Sequence, residues 1–122
     1  MKIMIVEDHA DMRRMLNNII TNSFTDQVEV IECENGEEAI LQYPVSRPDC
    51  VLMDIELKSM SGFKVIEEIY GHNADARVIM VTTYYTPTFR RKAEILNVKG
   101  FVSKDKLSDL QQLLSNQYNE QV

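Results

Sequence analysis

Asp54 directly follows the apolar run Cys50-Val51-Leu52-Met53, and Glu7 and Asp8 directly follow a second run, Ile3-Met4-Ile5-Val6. A carboxylate ending a buried strand needs a partner, and two parallel strands would deliver these three acids to one edge of a sheet. Clustered carboxylates repel one another and raise one another's pKa values, which a divalent cation reverses by supplying a larger local charge. Magnesium suits an all-oxygen site: it prefers octahedral geometry, keeps several waters and commonly bridges protein carboxylates to a phosphoryl group. The triplet therefore points to phosphate handling. One strand-end aspartate is as readily a helix N-cap or turn residue; the coincidence of three favours a site.

The elements that must position these acids alternate along the chain. Short strand-like runs recur at 3–6, 28–33, 50–53, 78–82 and 101–103, with helical patterns between them. Met12, Leu16, Ile19 and Ile20 share a helical face, as do Phe63, Ile66 and Ile69, while Leu107, Leu110, Leu113 and Leu114 mark a last helix. Asn35-Gly36 reads as a turn and helix start rather than a hairpin, because Glu37-Glu38-Ala39-Ile40 continues helically. Thr86-Pro87 is a further helix start, with Phe89, Ala93 and Leu96 facing inward. Strict alternation predicts an α/β fold, a doubly wound five-stranded parallel sheet covered on both faces. Such sheets bind ligands beyond their carboxyl ends; in the flavodoxin-like order 2-1-3-4-5 the switch point lies between strands one and three, where Glu7, Asp8 and Asp54 fall.

With 122 residues, one domain is expected. A composition of 44% hydrophobic and 26% charged residues fits a soluble globular protein, and no apolar stretch approaches the roughly 20 residues of a membrane span. The four apolar residues before Glu7 are too few for a signal peptide, so the expected location is cytoplasmic. Cys33 and Cys50 lie in strand-like stretches and read as small core residues. A net charge of -6 argues against direct nucleic-acid binding, and the basic clusters Arg13-Arg14 and Arg90-Arg91-Lys92 read as solvated helix faces. His9 lacks a second His or Cys at ligand spacing and reads as an exposed first-turn residue rather than a zinc ligand; His72 reads as part of a Gly71-His72-Asn73 turn.

Five spaced motifs resemble the receiver domain of two-component response regulators over essentially the whole chain. They are Ile5-Val6-Glu7-Asp8, Leu52-Met53-Asp54, Gly62, Val81-Thr82 and Gly100-Phe101-Val102-Ser103-Lys104. The resemblance implies that Asp54 accepts a phosphoryl group from a phosphohistidine on a sensor histidine kinase or phosphotransfer protein. It implies Mg2+, with Mn2+ as a substitute, held by Asp8, by Glu7 through water, by Asp54 and by the backbone carbonyl of Glu56. Lys104 would offer a mobile positive charge to the carboxylate and then to the phosphoryl oxygens. Thr82 and Phe101 would form the switch, the hydroxyl moving to the phosphoryl group and the ring into the space vacated. Glu56, Thr83 and Tyr84 would tune access to the acyl phosphate.

Two family prolines are replaced, by Lys58 and by Asp105; the second replacement removes the expected cis peptide, a non-proline cis bond costing about 3 kcal/mol, and leaves the isomer of the Lys104-Asp105 bond open. Lys104-Asp105, with Glu7-Asp8-His9 and Arg13, looks more like receivers paired with LuxR-type outputs. The chain is thus expected to be a single receiver domain over 1–122, either a single-domain regulator or the receiver half of a longer one; its polar end, 116–122, does not decide. The resemblance places kinase docking near the first helix, with Met12 and Met15, and output or phosphorylation-dependent homodimerisation on the face carrying Arg90, Arg91 and Lys92. Two alternatives remain. A haloacid-dehalogenase-like phosphohydrolase would want an Asp where Glu56 stands and a nucleophile on the first strand; a constitutive pseudo-receiver adaptor would have lost site residues that are present here.

Overall fold

Each strand-like run becomes a strand and each is followed by a helix. The computed structural model describes residues 1–118; of the polar end, 119–122 lie outside the described residues. The order is β1 (Lys2–Val6), α1 (Ala10–Ser23), β2 (Glu29–Cys33), α2 (Gly36–Ser46), β3 (Cys50–Met53), α3 (Gly62–His72), β4 (Val78–Thr82), α4 (Pro87–Ile95), β5 (Gly100–Ser103) and α5 (Leu107–Tyr118). All neighbouring strands are parallel, in the order β2-β1-β3-β4-β5, as the alternating pattern predicts.

The continuous apolar runs follow from burial on both sides. Along β1, Met4 and Val6 point into one core layer and Ile3 and Ile5 into the other; Val51 and Met53 alternate with Cys50 and Leu52 on β3, and Val78 and Met80 with Ile79 and Val81 on β4. Leu16 and Ile20 of α1 and Leu110 and Leu114 of α5 close the layer on one face, while Ala39, Tyr43, Phe63, Ile66, Ile69 and Ala93 of α2, α3 and α4 close the other. Cys33 and Cys50 are buried and neither is in a disulfide. Among the described residues no helix is long and apolar enough to cross a membrane.

Helix starts are set locally. The Asn35 side chain accepts the Glu38 N–H at 2.8 Å, and the Thr86 hydroxyl accepts the Phe89 N–H at 3.2 Å ahead of Pro87. His72 is the last residue of α3 rather than part of a turn, and Asn73 caps that helix with its N–H on the Ile69 carbonyl. No peptide bond among the described residues is cis, so Lys104-Asp105 is trans.

Backbone hydrogen bonds extend the register past the strand ends and so align the site. The Glu7 N–H donates to the Cys33 carbonyl at 3.1 Å, the Asp54 N–H to the Val6 carbonyl at 3.1 Å, and the Lys104 N–H to the Thr82 carbonyl at 2.8 Å. The loop after Asp54 folds back on itself: Glu56 and Ser61 form an antiparallel bridge, and the Gly62 N–H donates to the Ile55 carbonyl at 2.7 Å. A Cβ on Gly62 would be driven into the Asp54 carbonyl oxygen, whereas one on Gly71 would meet nothing. Gly62→Ala is therefore expected to cost about 3 kcal/mol, the upper part of the overpacking range. Gly71→Ala, inside α3, should gain about 0.5–1 kcal/mol. Urea unfolding of both variants checks the contrast.

Candidate functional site

Glu7 leaves β1 pointing into the protein and is fully buried. Its Oε1 lies 2.6 Å from the Lys104 Nζ, and the same ammonium lies 3.3 Å from Asp54 Oδ2. Lys104, 11% exposed at its side chain, thus joins two carboxylates that approach from β1 and β3. The other Asp54 oxygen, Oδ1, accepts the Glu56 N–H at 3.3 Å. Glu7 Oε2 accepts the His9 N–H at 3.2 Å. From α1, the Arg13 guanidinium donates to the Glu7 backbone carbonyl at 2.7 Å and reaches Glu32 at 3.4 Å and Glu34 at 3.6 Å, tying the β1–α1 turn to the end of β2.

The same geometry separates the two acids electrostatically. Burial opposes ionisation of Glu7, but the Lys104 hydrogen bond and charge and the contacts from His9 outweigh it and hold the carboxyl below its usual range. Asp54 is pushed up from its ordinary 3.8 to about 6, by burial first and by the Glu7 charge second, with Lys104 offsetting only part of this. Burial works against the Lys104 ammonium too, yet its bond to Glu7 and the charge of Asp54 raise its pKa.

Asp8 turns the other way. Its side chain is 5% exposed, and its Oδ1 is buried without a hydrogen bond; the His9 Nδ1 stands 3.1 Å away, out of hydrogen-bonding alignment. The sequence brings Glu7, Asp8 and Asp54 to one edge, and the structure does so, but among the described residues the tight group of potential metal donors is Glu7, Asp8 and His9, all within 4.8 Å of one another. Asp54 is instead linked to Glu7 through Lys104. His9 is the N-cap of α1, outside the first turn, because its extended backbone (φ −91°) precedes the helix.

Thr82 ends β4 fully buried, and its Oγ1 accepts the Tyr84 N–H at 2.9 Å. Phe101 on β5 is half-buried and packs against the core of the α2/α3/α4 face. Its ring is stacked on Tyr85, with centroids 5.0 Å apart and planes at 15°, and the Arg90 guanidinium lies 6.0 Å from the Tyr85 ring centre. Sequence reasoning missed Tyr85; the three consecutive polar-tipped residues Thr83-Tyr84-Tyr85 before the Thr86 cap were the available signal. Thr83, Tyr84 and the Glu56 side chain are exposed around the site. On α1, Met12 packs against the core while Met15 is exposed.

The pKa shifts fix the sign of two stability effects. A carboxyl raised in the folded state stabilises it below the unfolded pKa and loses that contribution as pH rises through the folded value. Asp54 therefore costs the metal-free protein stability above about 6. Asp54→Asn should stabilise the metal-free protein by about 3 kcal/mol at neutral pH, the gain vanishing as pH falls from about 6 toward 3.8. Lys104→Met should cost about 3 kcal/mol or more, since it leaves Glu7 buried and unpaired. Chemical denaturation across that pH range in chelator checks both.

Comparison with known proteins converges on one family. The response regulator receiver domain profile matches residues 3–115. The chain is 39% identical over 80 residues to the chemotaxis protein CheY of Listeria monocytogenes, an alignment spanning 66% of each protein, just under two thirds of that relative's length. Its fold superposes on a DNA-binding response regulator of the LuxR family from Staphylococcus aureus with a TM-score of 0.83, at 26% identity over 94% of this chain and 96% of that one. It also superposes on the response regulator TrrA from Thermotoga maritima, crystallised with Mg(2+)-BeF, with a TM-score of 0.81, at 27% identity over 94% and 96% of the two chains. By fold, by the acids and lysine gathered at the carboxyl end of its sheet, and by these matches, the chain belongs to the response regulator receiver domain family of two-component signalling.

Proposed function

We propose that Asp54 is the phosphoacceptor, taking a phosphoryl group from a phosphohistidine of a sensor histidine kinase or phosphotransfer protein. The observation that carries this reading is the Lys104 ammonium standing 3.3 Å from Asp54 Oδ2. An Asp54 oxygen attacks phosphorus, the O–P bond forms as the P–N bond breaks, and the electron pair returns to the imidazole of the donor. Phosphoryl transfer asks a protein mainly to hold the acceptor in line and to neutralise charge on the equatorial oxygens. Lys104 is placed to move from the carboxylate to one of those oxygens. The Thr82 hydroxyl, which accepts the Tyr84 N–H, keeps its own proton to donate to another.

The donors present fit Mg2+, with Mn2+ as its substitute. The buried Asp8 Oδ1 without a partner is an opening for a cation, Asp54 and the Glu56 backbone carbonyl add hard oxygens, and Glu7 would act through water. When bound, the ion offsets the charge of the carboxylates and the transferred group. Glu7 meanwhile holds Lys104, and Arg13 holds the turn that carries Asp8.

The proposed unit is one receiver over 1–122, standing alone or joined to a LuxR-type output, working in the cytoplasm and without direct nucleic-acid contact of its own. Phosphorylation would act through Thr82 and Phe101 on the face of α4, β5 and α5, where an output domain or a second copy would bind. Glu56, Thr83 and Tyr84 would govern how fast water reaches the acyl phosphate. The phosphohydrolase alternative is weakened by the exposed glutamate at 56 and by a nucleophile on the third strand.

Incubation with a small acyl-phosphate donor should add one phosphoryl group by intact mass with Mg2+ and none in chelator or in Asp54→Asn. Equal mass gain in Asp54→Asn would refute the assignment, and no gain in the wild type would favour a pseudo-receiver. Tyr84→Ala should shorten the lifetime of the phosphorylated form, since it removes bulk beside the acceptor loop. An unchanged lifetime would remove Tyr84 from the tuning positions.

A further inference from the structure

The His9 side chain makes no capping hydrogen bond, although its backbone occupies the N-cap of α1. Its Nδ1 faces two carboxylates instead, 3.1 Å from Asp8 Oδ1 and 3.2 Å from Glu7 Oε2. These two separations fall among the ligand-to-ligand edges around a divalent ion, since bonds of about 2.0–2.1 Å at octahedral or tetrahedral angles give edges of about 2.8–3.4 Å, and all three donors lie within 4.8 Å of one another. An independent observation points the same way, since Asp8 Oδ1 is buried in a side chain only 5% exposed and has no hydrogen bond of its own. Lys104 occupies Glu7 Oε1, whereas Oε2 stays on the His9 side, where it accepts the His9 backbone N–H and shares a 3.2 Å hydrogen bond with the ring Nδ1 that an ion between the two atoms would replace.

We propose that Glu7 Oε2, Asp8 Oδ1 and His9 Nδ1 form a three-donor site for a borderline transition cation of the Zn2+ class, and that an ion held there withdraws Asp8 from Mg2+. The inference rests on the reading of Asp8 as a magnesium ligand. Imidazole nitrogen favours zinc, cobalt and copper, whereas magnesium prefers oxygen donors and water, so His9 divides the two classes of ion at a shared carboxylate. Three protein donors leave a tetrahedral ion one position for water, as in open zinc sites. Asp54 is not a member of this triplet. A cation bound through His9 is therefore offset from the acceptor, and it inhibits phosphoryl acceptance rather than supporting it. The His9 side chain is 70% exposed, which opens the site to solvent ions and makes the position tolerant of substitution.

The test uses His9→Asn, which keeps a good N-cap residue and replaces the nitrogen donor by an amide. Co2+ is titrated by its visible d–d absorption and Cu2+ by nitrogen hyperfine structure in its electron paramagnetic resonance spectrum; Mg2+ is followed by amide chemical shifts. Thermal melting of both proteins confirms folding. Expected is nitrogen hyperfine structure in the wild type and its loss in His9→Asn. The variant should also bind Co2+ at least about tenfold more weakly, the lower end of what loss of even an outer-shell partner costs a metal site, with Mg2+ shifts unaltered. Zn2+ should slow phosphorylation by an acyl phosphate in Mg2+ for the wild type and do so less for His9→Asn. Equal Co2+ affinity and unchanged spectra in the variant would overturn the proposal while the Mg2+ response left the magnesium reading standing. Absence of any response at residues 7–9 to every divalent ion would overturn both.

Discussion

The buried contact between the Glu7 carboxylate and the Lys104 ammonium is the constraint around which the site is built. Glu7 is without solvent exposure, and a carboxylate in that position is tolerable only when paired and hydrogen-bonded. Lys104 satisfies it from the far end of the chain and, in doing so, is held against Asp54. Glu7, Asp8 and Asp54 formally outweigh Lys104 by two negative charges, which a divalent cation cancels. On the proposed reading, the charge balance as well as the donor set would favour a divalent cation here. The raised Asp54 carboxyl reflects its burial first and the neighbouring Glu7 charge second.

The carboxyl edge of the parallel sheet assembles this set from residues far apart in sequence. β1, β3, β4 and β5 all run in one direction, so their last residues and the first of each loop arrive together. The registered hydrogen bonds of Glu7 to Cys33, Asp54 to Val6 and Lys104 to Thr82 carry that order beyond the strands. Gly62 adds a constraint from the opposite side of Asp54, because the folded-back loop passes so close to the Asp54 carbonyl that a side chain has no room.

The fold was legible because parallel strands buried on both faces read as continuous apolar runs, as 3–6, 50–53 and 78–81 do. Capping residues were legible for the same local reason: Asn35 and Thr86 bond backbone groups within three residues of themselves. The acids could be placed at one edge, but not their pairing. That Lys104 would choose Glu7 as well as Asp54 depends on a contact spanning 97 positions. His9 was read from its lack of a distant partner, whereas its partners are its immediate neighbours, brought round by the turn into α1. His72 was read from flanking Gly71 and Asn73 as a turn; the asparagine signal was real but marked the end of a helix. Tyr85 sits in a loop without periodicity, and its stacking on Phe101 depends on the β4–β5 pairing.

On the proposed reading, the segment between β4 and α4 is where a switch would act, and little energy would be required to move it. It is tied to the site by the Tyr84 N–H on the Thr82 hydroxyl and to β5 by the Tyr85–Phe101 stack. One hydrogen bond contributes about 1 kcal/mol net and one aromatic pair about 0.5–1.5 kcal/mol, so releasing both costs about 2 kcal/mol, within the range where populations change by roughly 5–30-fold. A phosphoryl group that drew the Thr82 hydroxyl out of line with Tyr84 would weaken the first tie directly and, because Tyr84 and Tyr85 are adjacent, would strain the second. Arg90, 6.0 Å from the centre of the Tyr85 ring and exposed on α4, lies where that strain would reach the surface. On the proposed reading, then, the path from acceptor to output face runs through a hydroxyl, one peptide unit and two stacked rings, and its cheapness is what lets so small a chemical change reset the population.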